Sequence, residues 1–299
     1  MDTRRLRLLL ELSRLGSMRE VADALDVTTS TVSQQIAVLA REAGTALVEP
    51  DGRRVRLTPA GRRLAAHAVT ILAAVDAARL DLDPDAEPVG SVCVAGFASA
   101  IRRAVVPAIA ALAVSHPKVR VRIHEHEPPE AFAKLRADEV DLVLTYDYDL
   151  APARFDRTVE AVPLWTAPWG LGVPVDGAEP HGTALELFRR YQTMNWIVNS
   201  RHTADEDVVR TVASMAGFEP RVMHRVDGID LVQELILAGL GVGLLPHDRT
   251  PVPGVALLAL RAPEVRLRAY AVVRGGHAAW PALAVVLDEL TRCGPSPDR

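Results

Sequence analysis

Short polar side chains crowd the start of a predicted helix that begins at Thr28 or Thr29, runs to about Ala43 and stops at Gly44. A Gln side chain can bond bidentately to adenine, Ser and Thr hydroxyls can bond bases of either strand, and a Thr methyl can touch the methyl of thymine. The N-terminus of a helix also favours a phosphate. These residues predict contacts with DNA, and an ordinary solvated polar face is the alternative. The predicted contact residues are Thr28, Thr29, Ser30, Thr31, Ser33 and Gln34.

The elements around this helix must hold its polar face outward. Its other face carries Val32, Ile36, Leu39 and Ala43 at spacings of 4, 3 and 4, which places them on one apolar stripe. An amphipathic helix ending near Gly16 is predicted first, followed by a second helix that Ser17 caps together with Glu20. A tight turn at Asp26-Val27 then leads into the polar helix. Two short helices joined by such a turn are typical of a helix-turn-helix.

A basic hairpin is predicted directly after these helices. Asp51-Gly52 is a strong hairpin turn signal between Leu47-Val48 and Val55-Arg56-Leu57. Arg53, Arg54 and Arg56 lie at or just past its tip, where they can reach the DNA backbone or the minor groove. The hairpin therefore favours a winged helix-turn-helix over a featureless three-helix unit.

A long helix is predicted from about Pro59 to Leu82, with a polar hinge, Asp83-Pro84-Asp85, after it. Apolar residues recur along it with heptad spacing, which is typical of a dimerisation helix, although a helix buried in its own protomer can show the same pattern. A dimer would bind two DNA half-sites together. The predicted seam is Leu64, Ala68, Ile71, Val75 and Ala78, continuing to Leu82.

Length, charge and cysteine content agree with a two-part protein. The chain of 299 residues is long enough for two domains. Residues 1–63 carry 11 Arg against eight Asp and Glu, a net charge of +3, and the remainder carries −7. No secretory signal and no apolar stretch of membrane-spanning length are evident, so the cytoplasm is expected. Cys93 and Cys293 are read as ordinary thiols, with a redox-sensing pair as the alternative.

From Ser91 onward, strands and helices alternate. Strands are predicted at 92–96, 119–123 and 141–145, with helices at 99–114 and 130–137 between them, which indicates a parallel sheet with flanking helices. Pro107 is expected to kink or break the first helix. Turns at 157–163 and 165–173 are expected to lead to a second lobe with strands at 196–198, 222–226 and 242–245 and a helix at 229–238. Residues 265–273 and the helix 279–292 are expected to return to the first lobe.

Several chemical motifs are weighed and set aside. His124-Glu125-His126-Glu127 resembles a metal cluster, but only the two His share a face of a strand and no third ligand is evident. Gly239-x-Gly241-x-Gly243 follows a helix and precedes a strand, the reverse of the order in a dinucleotide loop, so it is read as a helix stop and turn. Asp147 and Asp149 could be paired acids, but no partner base is evident. No nucleophile elbow, phosphate loop or zinc-protease helix appears, so a catalytic α/β protein is disfavoured.

The N-terminal residues resemble the LysR-type transcriptional regulators. The resemblance runs from Leu6 through Gly16-Ser17, Val21–Leu25 and Val32–Ile36 to Arg53-Arg54-Val55 and Leu57–Gly61, in order and spacing. The departures lie at Leu9, at Ala40, at Val48-Glu49-Pro50, at Thr29-Ser30 and at Gln34. The family usually has a positive charge at Gln34 and at Pro50, so weaker, less salt-dependent or differently specific DNA binding is expected.

The C-terminal part resembles the effector domain of the same family, which has two lobes like a periplasmic binding protein. The matching features are Pro107, His116–Val119, Asp141–Val143 and Ala238–Pro246. The resemblance implies a ligand between the lobes, at strand ends and helix starts. Hydroxyls and helix N-termini there favour a carboxylate or other anion, with Arg201 as its partner, and loop residues without a ligand are the alternative. The predicted effector residues are Ser99, Ala100, Thr145, Tyr146, Asn199, Ser200, Arg201 and Asp227.

The sequence therefore predicts an all-α winged helix-turn-helix and a linker helix, followed by an α/β two-lobed, periplasmic-binding-protein-like effector domain. The expected boundaries are residues 1–58 for DNA binding, 59–82 for the linker helix, 83–90 for the hinge and 91–299 for the effector domain. Lobe I is expected at about 91–163 and 265–293, and lobe II at about 164–264.

The predicted function is regulation of transcription without enzymatic activity, cofactor or metal, by a homodimer or homotetramer in the nucleoid. Its predicted partners are double-stranded promoter DNA, a small effector and, for an activator, RNA polymerase, with no membrane. A small-molecule-binding protein whose N-terminal unit serves only oligomerisation is the alternative function.

Overall fold

The computed structural model describes residues 1–51, 54–83, 86–201 and 204–293, without the side chains of residues 54, 81 and 293. The N-terminal unit contains three helices, a two-stranded hairpin and a long helix. They are α1 (Thr3–Leu15), α2 (Met18–Ala24), α3 (Thr29–Ala43), β1 (Val48–Asp51), β2 (Arg54–Leu57) and α4 (Pro59–Leu82).

Side-chain caps set the helix boundaries in this unit, as the sequence predicts. The side chain of Ser17 accepts a hydrogen bond from the backbone of Glu20, and the side chain of Thr28 accepts one from Thr31. These bonds satisfy N–H groups that have no partner inside the helix. At the other end of α3, Gly44 has a φ of 68°, a left-handed conformation that a side chain would disfavour.

The apolar faces of α1, α2 and α3 meet in one core that continues onto α4. Leu9, Val21, Val32 and Leu39 are fully buried in it. The core fixes α3 against α1, so the polar face of α3 points to solvent. The predicted helix-turn-helix and hairpin are therefore present in the described residues.

The linker helix uses its apolar residues differently from the prediction. Ala68 is fully buried in the core of its own protomer, so it cannot form a seam with a second copy. Leu64 packs partly against the same core. Ile71 and Ala78 are exposed, Val75 is half-buried, and Leu82 is 85% exposed. Because the helix turns about 100° per residue, the residues on one side of the predicted stripe face the core of their own domain and are buried there.

The C-terminal part begins at Gly90 and is an α/β structure. Its helices are α5 (Ala98–Ala100), α6 (Val106–Ser115), α7 (Pro128–Arg136), α8 (Ala184–Arg190), α9 (Ala204–Ala216), α10 (Ile229–Leu237) and α11 (Pro281–Cys293), with a π-helical segment, Ile101–Val105, between α5 and α6. Its strands are β3 (Gly90–Gly96), β4 (Val119–Glu125), β5 (Leu142–Tyr148), β6 (Val159–Pro174), β7 (Asn195–Val198), β8 (Arg221–Arg225), β9 (Val242–Pro246), β10 (Val255–Ala259) and β11 (Val265–Arg274).

The described strands form a continuous sheet in the order β4-β3-β5-β11-β6-β9-β7-β8, with β10 paired to β6. At one end β3 pairs in parallel with β4 and β5, and at the other β7 pairs in parallel with β8 and β9. Between them β6 and β11 run antiparallel to each other. This arrangement gives two parallel α/β lobes joined through two long strands.

The turns predicted at 157–163 and 165–173 are wrong, because β6 is a single strand of 16 residues. The prediction took the prolines and glycines of this segment as signals of turns. Leu164 is the extra residue where the register with β11 shifts between Ala269 and Tyr270, and a proline is tolerated beside such a bulge. Gly170 lies in close contact with β10, since an added Cβ would come within 2.6 Å of the Leu258 carbonyl oxygen.

The prediction also left α8, α9 and β10 unassigned, although two of them carry a sequence signal. Thr183 and Glu186 form a capping box at the start of α8. Helix α9 has three acidic residues in its first turn and buries Val208, Val209 and Val212 at helical spacing.

Helix 98–115 continues through Pro107 without the predicted break. The π-helical segment immediately before the proline widens the turn that receives its ring. Its 18 residues have a mean hydropathy of 1.4, long and apolar enough for a membrane span by composition alone. One face buries Ala104, Ala108 and Leu112 in the lobe I core, as expected of a core helix.

The two acids considered for catalysis are structural. Asp147, only 1% exposed, accepts two hydrogen bonds of 2.8 Å from the Arg268 guanidinium and one of 2.9 Å from the Ala153 backbone. Asp149 accepts bonds from the backbone of Leu150 and Arg266. Both carboxylates therefore hold β5 against β11 and the loop that follows β5.

Replacing Asp147 by Asn should destabilise the C-terminal domain. The Asp147→Asn variant keeps the volume but leaves Arg268 without its bidentate partner, so we expect a loss of about 2 kcal/mol in the free energy of unfolding. Urea unfolding followed by Trp fluorescence measures it. The control is Glu264→Gln, which removes an exposed ion pair with Arg266 and should change stability by less than about 0.5 kcal/mol. Equal losses in the two variants would contradict this role of Asp147.

Candidate functional site: a DNA interface and an interlobe cavity

The first turn of α3 presents a hydroxyl cluster to solvent. The Thr28 hydroxyl lies 2.8 Å from the hydroxyls of both Ser30 and Thr31 while it caps the helix. Ser33 and Gln34 are exposed on the following turn, and Gln35 is held by Arg5 of α1 at 2.9 Å. The helix start therefore offers free backbone N–H groups, short side chains and one long amide on the same surface.

The hairpin supplies a positive charge beside this surface. Arg56 is exposed on β2, and its guanidinium lies 3.0 Å from Glu49, its cross-strand partner on β1. An exposed pair of this kind is weak, so a phosphate can compete for Arg56. Arg53, Gly52 and the side chain of Arg54 lie outside the described residues, so their predicted place at the tip stays a prediction.

A cavity of about 210 Å³ lies between the two lobes, and we call it the interlobe cavity. Phe97 and Ser99 line it from lobe I, Tyr146 from the end of β5, Trp169 from β6, and Asn199 from lobe II. The Asn199 amide donates to the Tyr146 hydroxyl at 3.1 Å. The remaining lining residues are Ala98, Arg102, Glu125, Glu127, Asp205, Asp227, Gly228, Ile229, Asp230, Arg249 and Leu267.

A larger groove of about 770 Å³ opens on the other side of Tyr146. Thr145 lines it together with Phe132 of α7, Phe155 of the loop after β5 and Arg210 of α9.

An ion-pair bridge joins the lobes beside the interlobe cavity. Arg201 donates to Glu130 of lobe I at 3.0 Å and pairs with Asp227 of lobe II. Asp227 also accepts hydrogen bonds from the backbone and the hydroxyl of Ser200, at 2.8 and 2.7 Å. Arg201 is thus already occupied by two carboxylates.

The pKa values of two adjacent acids of α9 are shifted in opposite directions. Hydrogen bonds from Arg225, with further bonds from Arg210, lower the pKa of Glu206 to about 2. Burial raises the pKa of Asp205 to about 6, a hydrogen bond from the Tyr148 hydroxyl opposes this shift, and the charge of Asp227 adds to it. Burial and the nearby Asp227 and Asp205 also raise the pKa of Glu127 to about 7. The cavity wall therefore holds two carboxylates that are poorly stabilised in the charged form.

Comparison with known families identifies both halves of the chain. The LysR substrate binding domain matches residues 85–293. The bacterial regulatory helix-turn-helix protein, lysR family, matches residues 3–62. The chain belongs to the LysR family of transcriptional regulators.

This LysR-family protein has relatives among characterised regulators. It is 27% identical to the transcriptional dual regulator GltC of Bacillus subtilis over 249 residues, 83% of this chain and 81% of GltC. It is 25% identical to the DNA-binding transcriptional dual regulator OxyR of Escherichia coli over 281 residues, 92% of this chain and 90% of OxyR.

Solved structures share its fold. A full-length OxyR from Pseudomonas aeruginosa, in a cysteine-to-aspartate variant, superposes with a TM-score of 0.74 at 19% identity, covering 98% of this chain and 99% of that one. Full-length CbnR complexed with its target DNA gives a TM-score of 0.55 at 20% identity, covering 98% and 100%. The winged helix-turn-helix followed by a two-lobed domain, as the sequence predicts, is confirmed.

The structure gathers half of the predicted effector residues around the interlobe cavity of this LysR-family protein. Ser99, Tyr146, Asn199 and Asp227 line it. Thr145 lines the larger groove instead.

Three of the predicted effector residues do not line the interlobe cavity and are engaged in other contacts. Ala100 is buried in the lobe I core and does not line the cavity, because it follows Ser99 on a helix and so points elsewhere. Ser200 and Arg201 are bound to Asp227. An anionic effector would have to compete with Glu130 and Asp227 for Arg201.

Sequence reasoning missed the acidic wall. Asp205 belongs to a helix that was not predicted, and Glu127 was considered only as part of a metal motif. That motif is not assembled: the rings of His124 and His126 stand edge to face with centroids 6.2 Å apart. Among the described residues, no group of three His, Cys, Asp or Glu side chains could hold a metal.

The redox alternative gains no support from the described cysteine. Cys93 is 1% exposed in β3, and burial raises the pKa of its thiol. A buried thiol with a raised pKa reacts slowly. The side chain of Cys293 lies outside the described residues.

Gln34 and Arg56 should affect DNA binding in different ways. Gln34→Ala removes a base-reading amide, so it should cost about 1–3 kcal/mol for a preferred sequence and leave the salt dependence unchanged. Arg56→Ala removes a charge, so it should weaken binding to all sequences and lower the slope of log K against log salt by about one. Fluorescence anisotropy at several salt concentrations separates the two effects. The same change in slope for both variants would contradict the assignment.

The raised pKa values also predict how stability depends on pH. A carboxylate whose pKa is higher in the folded state binds more protons when folded, so stability falls as pH rises from the unfolded pKa through the folded one. For Asp205 that window runs from 3.8 to about 6, so Asp205→Asn should flatten the decline of Tm across it. Thermal unfolding of wild type and variant between about pH 4 and 7 measures the difference. Parallel curves would contradict the raised pKa.

Proposed function

We propose that this protein binds double-stranded promoter DNA through α3 and the hairpin, and that a small effector in the interlobe cavity modulates that binding. The observation that carries the proposal is one chain holding both an exposed polar helix start in a winged helix-turn-helix and a ligand-sized cavity between two lobes. The two family models match these two parts of the chain, residues 3–62 and 85–293. The proposed contact residues are the exposed hydroxyl residues of α3 with Gln34 and Arg56, together with Arg53 and Arg54.

A direct contact between the domains supports the coupling. Arg14 near the end of α1 donates to Asp141 of lobe I at 3.1 Å. The other Asp141 oxygen accepts from the backbone of Cys93 in β3 at 2.9 Å. Strand β3 leads directly to Ser99, so a change at the cavity has a short covalent and hydrogen-bonded route to the helix-turn-helix.

The linker helix supports assembly into a dimer. Its outer side leaves Ile71, Ala74, Ala78 and Leu82 exposed at heptad-like spacing once the inner side is buried in the N-terminal core. A second copy packed there would place two α3 helices for two half-sites. We propose a homodimer or homotetramer on this basis, working in the cytoplasm at the nucleoid and, if it activates, with RNA polymerase.

The proposal includes no enzymatic activity. The acids considered for catalysis are engaged with Arg268 and backbone groups. The relatives are regulators by name, and their family is one of regulators.

DNA binding tests the proposal first. Purified protein is titrated with the intergenic DNA upstream of its own gene across a salt series, beside an Arg53→Ala/Arg54→Ala variant. The control variant is Arg221→Ala, which removes an exposed charge on β8 of lobe II. We expect salt-sensitive binding that resists competitor DNA, at least tenfold weaker in the double variant and unchanged in the control.

The absence of any preference over random DNA, here and on a genome-wide fragment pool, would contradict the proposal. It would favour a small-molecule-binding protein whose N-terminal unit serves oligomerisation alone. Once an effector is known, Ser99→Ala should weaken its binding, and Thr145→Val should not if the effector lies in the interlobe cavity rather than the groove.

A further inference from the structure

A second space of about 220 Å³ adjoins the interlobe cavity, and we call it the tryptophan pocket. Phe97, Ser99 and Arg102 of lobe I line both spaces. Trp169 of β6 and Arg249, which follows β9 in lobe II, also line both. The two spaces therefore share a wall at the place where the lobes meet.

The charged side chains of the tryptophan pocket are mainly basic. Among the described residues, Arg102, Arg103 and Arg249 line it, against the single carboxylate of Asp248. The neighbouring interlobe cavity has the opposite balance, because five carboxylates line it against two guanidinium groups. An anionic group in the shared space is therefore attracted to the tryptophan pocket and repelled from the acidic wall of the interlobe cavity.

The three arginines differ in how firmly they are held. The Arg103 guanidinium lies over the Trp165 ring, 5.1 Å from its centroid, and pairs with Asp248. Arg102 makes only a long ion pair of 3.9 Å with an exposed aspartate of α10. The exposed side chain of Arg249 forms no ion pair with the described residues. Arg102 and Arg249 are therefore available to an anion, and they approach it from opposite lobes.

Aromatic rings are concentrated in the same pocket. Aromatic residues make up only 4% of the chain, yet two of its four Trp, Trp165 and Trp169, line this pocket together with Phe97. Aromatic rings pack favourably against another flat ring, in offset or edge-to-face geometry. A cationic ligand is disfavoured, because Arg103 already lies on Trp165 and the other guanidinium groups would repel it.

The volume of the pocket limits the size of its ligand. The 220 Å³ of the tryptophan pocket is below the roughly 300–1,000 Å³ of sites for drug-sized molecules, so it suits one ring or two fused rings. A bare inorganic anion would bind the guanidinium groups but leave the aromatic surface without a partner. The ligand that uses the whole pocket carries both a flat ring and a negative charge.

We infer that the effector of this protein is a planar aromatic carboxylate whose ring packs against Trp169 and Phe97 and whose carboxylate binds Arg249 and Arg102. This inference rests on the proposed function, which makes the space between the lobes the effector site. The Ser99 hydroxyl, on the wall that the two spaces share, can donate to the same carboxylate. Because the two arginines belong to different lobes, one carboxylate joins lobe I to lobe II.

Isothermal titration of the full-length protein with probes that differ in one property tests the inference. Phenylacetate and indoleacetate are the aromatic carboxylates, with one ring and two fused rings. Cyclohexylacetate keeps the charge but lacks the flat ring, phenethylammonium keeps the ring but reverses the charge, and sulfate has the charge alone. We expect an aromatic carboxylate to bind roughly threefold to tenfold more tightly than cyclohexylacetate, because only a flat ring can stack. Phenethylammonium and sulfate should bind more weakly still.

Variants locate the binding site. Arg249→Gln should weaken binding of the aromatic carboxylate roughly tenfold or more, because it removes a charged hydrogen-bond donor. Arg221→Gln, at an exposed arginine of β8 in the same lobe, is the matched control and should change nothing. Trp169→Leu should abolish the preference for phenylacetate over cyclohexylacetate. Far-UV circular dichroism checks that each variant is folded, and the exposed position of Arg249 keeps its replacement informative if Trp169→Leu does not fold.

Four results would each overturn the inference: equal affinity for phenylacetate and cyclohexylacetate, phenethylammonium or sulfate binding as tightly as the aromatic carboxylates, no binding of either aromatic carboxylate, and full affinity in Arg249→Gln. DNA binding by the same preparations is measured with and without each probe. Intact preference for promoter DNA with no binding of an aromatic carboxylate overturns the ligand assignment alone, whereas loss of DNA preference in the wild type overturns the proposed function.

Discussion

The antiparallel pairing of β6 with β11 is the constraint on which the effector domain depends. Both strands run through both lobes, so every residue of the cavity is placed relative to this pair. The buried contact between Asp147 and Arg268 holds this pair of strands to β5. Nearer the cavity, Tyr148 of β5 contacts Trp169 of β6 edge to face, with ring centroids 5.6 Å apart. One bulge at Leu164 is the place where the ladder changes register.

The acids near the interlobe cavity fall into two groups, according to whether a guanidinium group is in contact with them. Glu206 meets two guanidinium groups and stays ionised, so it holds α9 to β8. Asp205, its neighbour in sequence, pairs with no guanidinium group among the described residues and interacts instead with the hydroxyl of Tyr148. The Arg201 bridge closes the lobes with both of its carboxylates already satisfied. The fold thus keeps Glu206 ionised and raises the pKa of Asp205 and Glu127.

The N-terminal unit is connected to this domain by more than the linker. Arg14 reaches Asp141, and burial next to Arg274 and Arg14 lowers the pKa of His277 to about 3, so its ring is neutral at physiological pH. The neutral ring stacks on Trp280, with centroids 5.4 Å apart, beside the end of β11. The Arg14–Asp141 ion pair therefore links the two domains, and the aromatic pair belongs to the C-terminal part.

Local signals were sufficient wherever the structure depends on residues near in sequence. Ser17, Thr28 and Gly44 bound their helices, the stripe of Val32, Ile36 and Leu39 orients α3, and the alternation after Ser91 indicates an α/β domain. The single strand β6 was not predictable in this way, because Pro163, Pro168 and Gly170 signal turns unless the partner strands are known. The place of Ala68 was not predictable for the same reason: heptad spacing shows that Ala68 is buried but not whether the covering surface belongs to its own protomer. The acidic cavity was decided by tertiary structure alone. Glu127, Asp205 and Asp227 come from three separate segments, and whether an acid meets an arginine depends on which segments the fold brings together.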